Sequence, residues 1–333
     1  MNASTKLIRI GILIFPDCAP ASAVAVVEVF NAANALVQFR PASEHVRFET
    51  QWLSAAGGVI TVAGGVSFPT SALEPGAHEV LMVPGIAHRH ASELPALLGR
   101  LGPECAALQR YANGSGMLAS NCSGTFLLAE AGQLDGRRAT TSWWLSKLFH
   151  KRYPLVQIDT EQLLILDGPI LSSGAVTAYI DMGLWLIGHF ASESLRQMTA
   201  KILAADSHRS SQSPYILAAM VQGDGHAVVE RARGWLNKHM DQEWNMTELA
   251  GHCHTSPRTL LRRFQKAVGM SPVQYTQQLR VERAKGLLEA SMLSLEDITE
   301  RCGYANVSTF STVFKRWAQI TPREYRSRFG LRN

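Results

Sequence analysis

The sequence predicts an α/β doubly wound domain with a mostly parallel sheet, followed by an all-α domain that contains two helix-turn-helix units. Strands and helices alternate up to about residue 205, and the last hundred or so residues contain an internal repeat. The length of 333 residues also exceeds the roughly 250 at which a single hydrophobic core stops growing. We therefore predict domains at 1–205 and 228–333, joined at 206–227 by a linker rich in Ser, Gly and Pro.

The alternation of elements supports the prediction for the first domain. Strands are expected at 6–15, 46–54, 79–83 and 117–121, and helices at 21–36, 91–112 and 123–131. This order favours a parallel sheet with helices on both faces. Ligands in such folds bind at the carboxyl ends of the strands.

The repeat supports the prediction for the second domain. Each copy has a short helix, a turn and a second helix, at 246–253 and 257–267 in copy one and at 295–302 and 307–318 in copy two. The anchors of the two copies match in pairs: Leu249 with Ile298, Cys253 with Cys302, Leu260 with Phe310, Phe264 with Phe314, and Tyr275 with Tyr325. A long helix at 272–290 would hold the two units about one DNA turn, roughly 34 Å, apart.

Charge and composition narrow the classes of partner. Residues 228–333 contain 17 Lys and Arg against 10 Asp and Glu, whereas the rest of the chain contains 15 against 17. This excess favours a polyanion as the partner of the second domain, although a solvated basic face has the same composition. The apolar segments at 6–15 and 178–190 are too short for a membrane span. The five scattered cysteines indicate a reducing compartment, so we expect a cytoplasmic protein without a membrane partner.

The second helix of each copy presents side chains that suit base edges and phosphates. Arginine forks pair with guanine or phosphate, and threonine contacts thymine methyl groups or phosphates. An ordinary solvated amphipathic helix is the alternative for one copy, and the second copy weakens it. The predicted DNA-binding residues are Ser256, Arg258, Thr259, Arg262, Arg263, Asn306, Ser308, Thr309, Ser311, Thr312 and Lys315.

Motifs in this region resemble the DNA-binding domain of AraC-family regulators over about 228–329. They are Leu249-Ala250, 256–260, Arg263-Phe264, 269–272, Arg283-Ala284, Ile298, Gly303-Tyr304, Ser308, Phe310, Phe314-Lys315 and 321–326. Two positions depart from the family. Gln319 stands where a glycine is usual, so a left-handed backbone there would cost roughly 1 to 2 kcal/mol. Thr312 replaces a frequent arginine, which shifts the expected contact energy toward copy one.

No metal or cofactor is expected. The run His252-Cys253-His254 is interpreted as structural, because Cys253 matches Cys302 on the buried side of a helix. Cysteine in such a position behaves as a small apolar residue.

In the first domain, Cys122 lies between a predicted strand and a predicted helix, an arrangement typical of a nucleophile elbow. The amino terminus of the helix would lower the pKa of the thiol. The domain resembles the class I glutamine amidotransferase-like, or PfpI-like, fold with flavodoxin-like topology, which is a sensor domain in one branch of AraC-family regulators. The matching motifs are Phe15-Pro16, 27–34, 83–85, 122–132, 134–141 and 176–178.

Departures from the catalytic relatives argue against an enzyme. Ser142 stands where a histidine is common, and Ser22 stands at a position that is acidic in many relatives. A thiol without a base lacks the means of activation, so no catalytic residue is predicted. Two alternatives stay open: a cysteine-dependent hydrolase or amidotransferase-like enzyme, in which His88 or His90 would serve Cys122, and a thiol redox sensor.

A binding pocket is the preferred interpretation. Its predicted lining residues are Gly85, Ile86, Cys122, Ser142, Trp143 and Thr177. Trp143 and Trp144 either enclose a cation or are structural. The resemblance implies a small-molecule effector, an amino acid or a quaternary amine, that controls binding to double-stranded promoter DNA. It also implies a homodimer and RNA polymerase as a further partner.

Overall fold

The computed structural model describes residues 5–41, 45–114, 116–206, 209–215 and 227–330. The chain divides into two compact units, Met1–Gln212 and Ser213–Asn333. The predicted linker at 206–227 spans this division, and its residues 207–208 and 216–226 lie outside the described part of the chain.

A mostly parallel sheet forms the centre of the amino-terminal unit. The strands are β1 (Lys6–Leu13), β2 (Val46–Ser54), β3 (Gly58–Thr61), β4 (Ser67–Ala72), β5 (Val80–Val83), β6 (Met117–Asn121), β7 (Arg138–Ala139), β8 (Gln157–Ile158), β9 (Leu164–Asp167) and β10 (Ile170–Ser173). Eight of them pair in the order β3-β4-β2-β1-β5-β6-β10-β9, and β7 pairs with β8. The two outer pairs, β3–β4 and β9–β10, are antiparallel, and the inner pairs are parallel. The predicted α/β class is confirmed.

Helices cover the sheet in two groups. They are α1 (Pro20–Val37), α2 (Leu94–Leu98), α3 (Gly102–Ala112), α4 (Gly124–Glu130), α5 (Ser146–Arg152), α6 (Tyr179–Phe190) and α7 (Glu193–Ile202). Helices α1, α6 and α7 pack together, and α2 and α3 pack with α4. By length and mean hydropathy, 1.4, α1 resembles a membrane span. Its side chains Val29, Phe30 and Ala33 are buried in the core of this unit, which accounts for its apolar character.

One predicted helix of this unit is wrong in extent. The stretch 91–112 was expected to be continuous, but it contains a 3-10 turn and the separate helices α2 and α3. Gly99 is the carboxyl-terminal cap of α2. Pro103 lies in the first turn of α3, where a missing backbone N–H costs nothing. The apolar pattern continues across the break because Leu98 and Leu101 are both buried.

The helical unit contains the predicted repeat. Its helices are α8 (Ala227–Lys238), α9 (Met246–His252), α10 (Pro257–Val268), α11 (Pro272–Ala290), α12 (Leu295–Arg301), α13 (Val307–Ala318) and α14 (Pro322–Phe329). Each copy has its own core, and α11 contributes Tyr275 and Leu279 to the first and Val281, Ala284 and Leu288 to the second. The five predicted helices are confirmed to within one residue at each end. The all-α domain with two helix-turn-helix units is therefore confirmed.

Candidate nucleic-acid interface and ligand site

In copy one, the second helix, α10, is anchored by apolar side chains and exposes its cations. Leu260 and Phe264 are fully buried beneath it. Ser256 caps its amino terminus, because the Ser256 hydroxyl accepts the backbone N–H of Thr259 at 3.3 Å. Arg258 and Arg262 are exposed, and Arg263 is half-buried. The helix therefore presents two solvent-exposed guanidinium groups, Arg258 and Arg262, from its first two turns.

In copy two, α13 has the same anchoring but fewer cations. Asn306 caps the helix, with its Oδ1 atom 2.8 Å from the backbone nitrogen of Thr309. Ser308, Thr309, Thr312 and Lys315 are exposed, and Ser311 is half-buried. The Thr312 hydroxyl donates to the carbonyl of Ser308 at 3.0 Å, so it is already engaged within the helix. Lys315 is thus the cation among the predicted contact residues of this copy.

The loop before copy one contacts copy two shortly before α13 begins. Gly303 follows α12 with a left-handed backbone, φ 74°, and a Cβ atom there would lie 2.6 Å from the carbonyl oxygen of Asp241. Asp241 also pairs with Arg283 of α11 at 2.9 Å. Arg280 of the same helix donates to the carbonyl of Met240. The loop before α9 is therefore held against copy two by α11.

Cys122 occupies a sharp turn between β6 and α4. Its φ of 55° is left-handed, which is uncommon for a residue with a Cβ atom. Its backbone N–H donates to the carbonyl of Ser173 at 2.8 Å, and the Thr141 hydroxyl donates to the Cys122 carbonyl at 2.7 Å. A Cβ atom at Gly124 would lie 2.5 Å from the carbonyl oxygens of Val83 and Pro84, so only glycine fits there. The predicted elbow is present.

The thiol of Cys122 is buried and paired with a hydroxyl. Its Sγ atom lies 2.8 Å from the Oγ atom of Ser142. Burial raises the pKa of the Cys122 thiol, although hydrogen bonds from Ser142 and Ser123 act in the opposite direction. The expected lowering of the pKa at the amino terminus of α4 is present as the backbone hydrogen bond of Ser123, but it does not set the net direction of the shift. Loss of solvation outweighs the favourable orientation of the helix.

Hydrogen bonds hold the loop after β5 against the elbow. The Ser123 hydroxyl donates to the carbonyl of Ile86 at 3.0 Å, and the Ile86 N–H lies 2.9 Å from the same hydroxyl oxygen. The Gly85 N–H lies 3.3 Å from the Ser22 hydroxyl oxygen. Gly85 and Ile86 are thus brought to Cys122, as their predicted role requires, and Ser123 is a bridging residue that the sequence analysis missed.

The remaining predicted ligand residues lie at the edge of this cluster. Trp143 is half-buried and meets Trp144 edge to face, with ring centroids 5.3 Å apart. Thr177 is exposed, and its hydroxyl accepts a hydrogen bond from Arg209 at 3.2 Å. Gly85, Ile86, Cys122 and Ser142 are buried. The cluster is therefore closed around the thiol, with the tryptophans and Thr177 toward its outside.

Two residues of the predicted linker, Arg209 and Gln212, also contact the amino-terminal unit near the predicted ligand residues. Gln212 hydrogen-bonds the backbone of Trp143, and Arg209 forms an ion pair with Asp181 at the start of α6. A serine-rich stretch carries no periodicity that would identify a buried glutamine. Asp181, in contrast, is recognisable from the sequence as an acidic residue within the apolar segment 178–190.

Comparisons with known proteins agree with this geometry. Residues 249–328 match the family described as "Helix-turn-helix domain". The chain is 27% identical to the HTH-type transcriptional regulator GbdR of Pseudomonas aeruginosa over 66% of its length, and spans 60% of that relative. It is 27% identical to the HTH-type transcriptional regulator GlxA of Rhizobium meliloti over 98% of both chains. A putative transcriptional regulator protein from Vibrio parahaemolyticus has a similar structure, with a TM-score of 0.50 and 19% identity over 60% of this chain and 100% of that one.

The fold and these similarities define a helix-turn-helix protein with a separate α/β domain. The predicted helix-turn-helix domain at the carboxyl end and the predicted α/β domain that precedes it are both confirmed, and the chain is similar to a transcriptional regulator over nearly its whole length.

Proposed function

We propose that this protein is a cytoplasmic, sequence-specific DNA-binding regulator of transcription, in which a small effector acts through the amino-terminal domain. We assign sensing to 1–205, connection to 206–227 and DNA binding to 228–333. A homodimer and an interaction with RNA polymerase belong to the same proposal.

One observation supports DNA binding most strongly. Two capped helices, α10 and α13, expose arginine, lysine and hydroxyl side chains while aromatic side chains beneath them are fully buried. A single 19-residue helix, α11, joins their cores. Paired helices in this arrangement fit successive major grooves, with phosphate contacts for affinity and side-chain contacts for sequence.

For the effector, we propose a small polar molecule with a cationic group, an amino acid or a quaternary amine. The edge-to-face pair of Trp143 and Trp144 supplies aromatic surface beside Ser142 and Cys122. Aromatic faces attract a weakly hydrated cation, and hydroxyl groups bind a polar end. Opening of the cluster is required for entry, because four of its six residues are buried.

We propose a binding role rather than a catalytic one for Cys122. Its described Sγ hydrogen bond goes to a hydroxyl, and a thiol with a raised pKa is a poor nucleophile at neutral pH. His88 is hydrogen-bonded through Nδ1 to the carbonyl of Ile86. Turnover of amide substrates that disappears in Cys122→Ala would instead support the enzyme alternative.

DNA binding is tested with duplexes that the full-length protein selects from a random-sequence library. We expect log K to fall linearly with log salt, with a slope of about −0.9 for each phosphate neutralised. Changing Arg258, Arg262 and Arg263 together to alanine should flatten this slope. It should also weaken binding about a hundredfold or more, since each contacting arginine contributes about 1 to 3 kcal/mol.

The control carries the same loss of charge elsewhere. Arg89, Arg110 and Arg138 are exposed in the amino-terminal unit, and their combined replacement by alanine should leave the affinity within about threefold. Equal effects of the two triple variants, or a binding constant independent of salt, would contradict the proposed interface.

A further inference from the structure

Gln212 is a buried polar residue at the boundary between the amino-terminal unit and the rest of the predicted linker. It is the last residue of the amino-terminal unit, and only 1% of it is exposed. Its backbone N–H donates to the carbonyl of Glu161 at 2.8 Å, and the Leu163 N–H donates to the carbonyl of Ser210 at 3.0 Å. The start of the predicted linker is therefore attached to the amino-terminal unit through an isolated antiparallel bridge between Ser211 and Gln162.

The side chain of Gln212 occupies a slot that matches a carboxamide. Its NH₂ group faces three acceptors, the Thr140 hydroxyl at 3.2 Å, the Thr141 carbonyl at 3.0 Å and the Gln162 carbonyl at 3.1 Å. Its carbonyl oxygen lies 3.3 Å from the backbone nitrogen of Trp143. The opposite orientation would place the oxygen against the Thr141 and Gln162 carbonyl oxygens, which can only accept, so the chemistry of the slot sets the orientation of the amide.

The backbone around the slot is adapted to this side chain. A Cβ atom at Gly174 would lie 1.9 Å from the Gln212 Nε2 atom. Gly174 has an ordinary φ, so the absence of a side chain there serves space rather than backbone conformation. An alanine at position 174 and a docked Gln212 are therefore incompatible.

The wall of the slot is also the wall of the candidate ligand site. Thr141 bonds the Cys122 carbonyl through its hydroxyl and Gln212 through its carbonyl. Ser142 contacts the Cys122 thiol, and the next residue, Trp143, donates to Gln212. A displacement of this three-residue segment on the Cys122 side must change the hydrogen bonds on the Gln212 side.

We propose that Gln212 is an intramolecular ligand of this carboxamide slot, and that an effector at Cys122 releases it by moving residues 141–143. The inference rests on the proposed function, because it assigns the effector to that same site. Tethering gives the glutamine a high effective concentration, so the slot stays filled until its wall changes. Release frees the first residues of the linker, and the effector must bind the released form more tightly than the docked one.

Two variants release Gln212 for different reasons. Gln212→Glu places carboxylate oxygens against the Thr141 and Gln162 carbonyl oxygens, and Gly174→Ala occupies the space of the Nε2 atom. In both full-length variants, trypsin should cut after Arg209 at least about tenfold faster than in the wild type, because the segment loses the buried Gln212 contacts and is held only by its backbone bonds and the Arg209–Asp181 pair, which open more often. Mass spectrometry of the fragments measures the rate.

Matched controls make the same chemical changes where the structure has room. Gln38→Glu alters an exposed glutamine, and Gly102→Ala adds a methyl group with nothing within 4 Å. Both should be cut at the wild-type rate. Wild-type rates in Gln212→Glu and Gly174→Ala would overturn the proposal.

A second measurement addresses the slot itself. In Gln212→Gly, propionamide supplies the missing carboxamide with the same two-carbon stem, whereas propionate supplies only acceptors. Propionamide should raise the melting temperature of this variant and slow its cleavage, and propionate should do neither. Equal effects of the two compounds would contradict a carboxamide slot.

Failure of this inference is distinguishable from failure of the proposed function. Cleavage after Arg209 requires neither DNA nor effector, so it judges the Gln212 contact alone. The salt dependence of DNA binding judges the function alone. An effector that binds Gln212→Glu no more tightly than the wild type would refute the coupling while leaving both other results in place.

Discussion

At the scale of single residues, the clearest conflict between backbone and side chain is at Cys122. Its left-handed φ costs about 1 to 2 kcal/mol, and the hydrogen bonds to Ser173 and Thr141 hold the turn in place. The same turn places the thiol in a closed cluster, where the protonated form is favoured. Strain here therefore accompanies a buried thiol with a raised pKa.

We expect Cys122 to react with iodoacetamide only at high pH. Its raised pKa means that the thiolate appears above the pH at which an unfolded cysteine, with a pKa of about 8.5, ionises. The rate measured by mass spectrometry at pH 7.5 should be lower in the folded protein than in urea. By the same linkage, its contribution to stability is complete below the unfolded pKa and is lost as the pH rises above it. Faster alkylation of the folded form would restore the enzyme alternative.

Four residues with left-handed backbones follow the helices of the two helix-turn-helix units. Each copy has one after its first helix and one after its second, His254 with Gly269 in copy one and Gly303 with Gln319 in copy two. Glycine is present at only one of the two positions in each copy. Gln319, which stands where a glycine is usual, has this left-handed backbone, with φ 61°.

Glycine at the other two positions should stabilise the protein. Gln319→Gly and His254→Gly each remove about 1 to 2 kcal/mol of backbone strain. The larger conformational entropy of glycine in the unfolded chain offsets about 0.5 to 1 kcal/mol of this gain. A net gain of up to about 1.5 kcal/mol is expected, measured as a rise in melting temperature. Glycine placed at Lys266, inside α10 with an ordinary helical backbone, should have the opposite effect. Equal destabilisation by all three changes would contradict the strain.

At the scale of elements, the two helix-turn-helix units are joined by contacts in addition to α11. The loop before α9 approaches copy two at Gly303, and the Asp241–Arg283 pair secures that loop to α11. The pair is about one third exposed on both sides and is worth less than about 1 kcal/mol by itself. The close approach at Gly303 is the stronger constraint, because backbone atoms cannot move aside.

Gly303→Ala should destabilise the helical unit more than Gly269→Ala does. Both glycines have φ near 80°, so each substitution costs about 1 to 2 kcal/mol in backbone strain. Only at Gly303 does the new methyl group meet Asp241, since nothing lies within 4 Å of a Cβ atom at Gly269. Urea unfolding monitored by circular dichroism gives the difference. Equal losses of unfolding free energy in the two variants would show that the backbone at Asp241 moves away from the new methyl group at little cost.

At the scale of the whole molecule, the proposed effector should stabilise the folded chain. At a concentration one hundred times its Kd, an effector adds about 2.7 kcal/mol. We expect a cationic amine or amino acid to raise the melting temperature in a thermal-shift screen. The shift should persist in Trp143→Phe, which keeps an aromatic face, and disappear in Trp143→Ala. An undiminished shift in Trp143→Ala would place the effector elsewhere.

Some elements could be predicted from the sequence and others could not, for physical reasons. The helices α10, α11 and α13 each have a capping side chain and apolar residues at i, i+4 spacing, and α10 and α11 also have a proline in the first turn, so their ends were predictable. The strands β7 to β10 are two to four residues long, too short for a periodic pattern. The break between α2 and α3 was missed because buried leucines continue across it.

The sequence by itself determined the alternation of elements, the duplicated helical unit, and the elbow at Cys122, because each is written in residues close together along the chain. Only the tertiary structure decided the state of the thiol and the position of Gln212. The pKa of Cys122 depends on burial by residues far away in sequence, and the slot for Gln212 is assembled from Thr140 to Trp143, Gln162 and Gly174. Solvation and close packing are properties of distant segments brought together, so no local pattern encodes them.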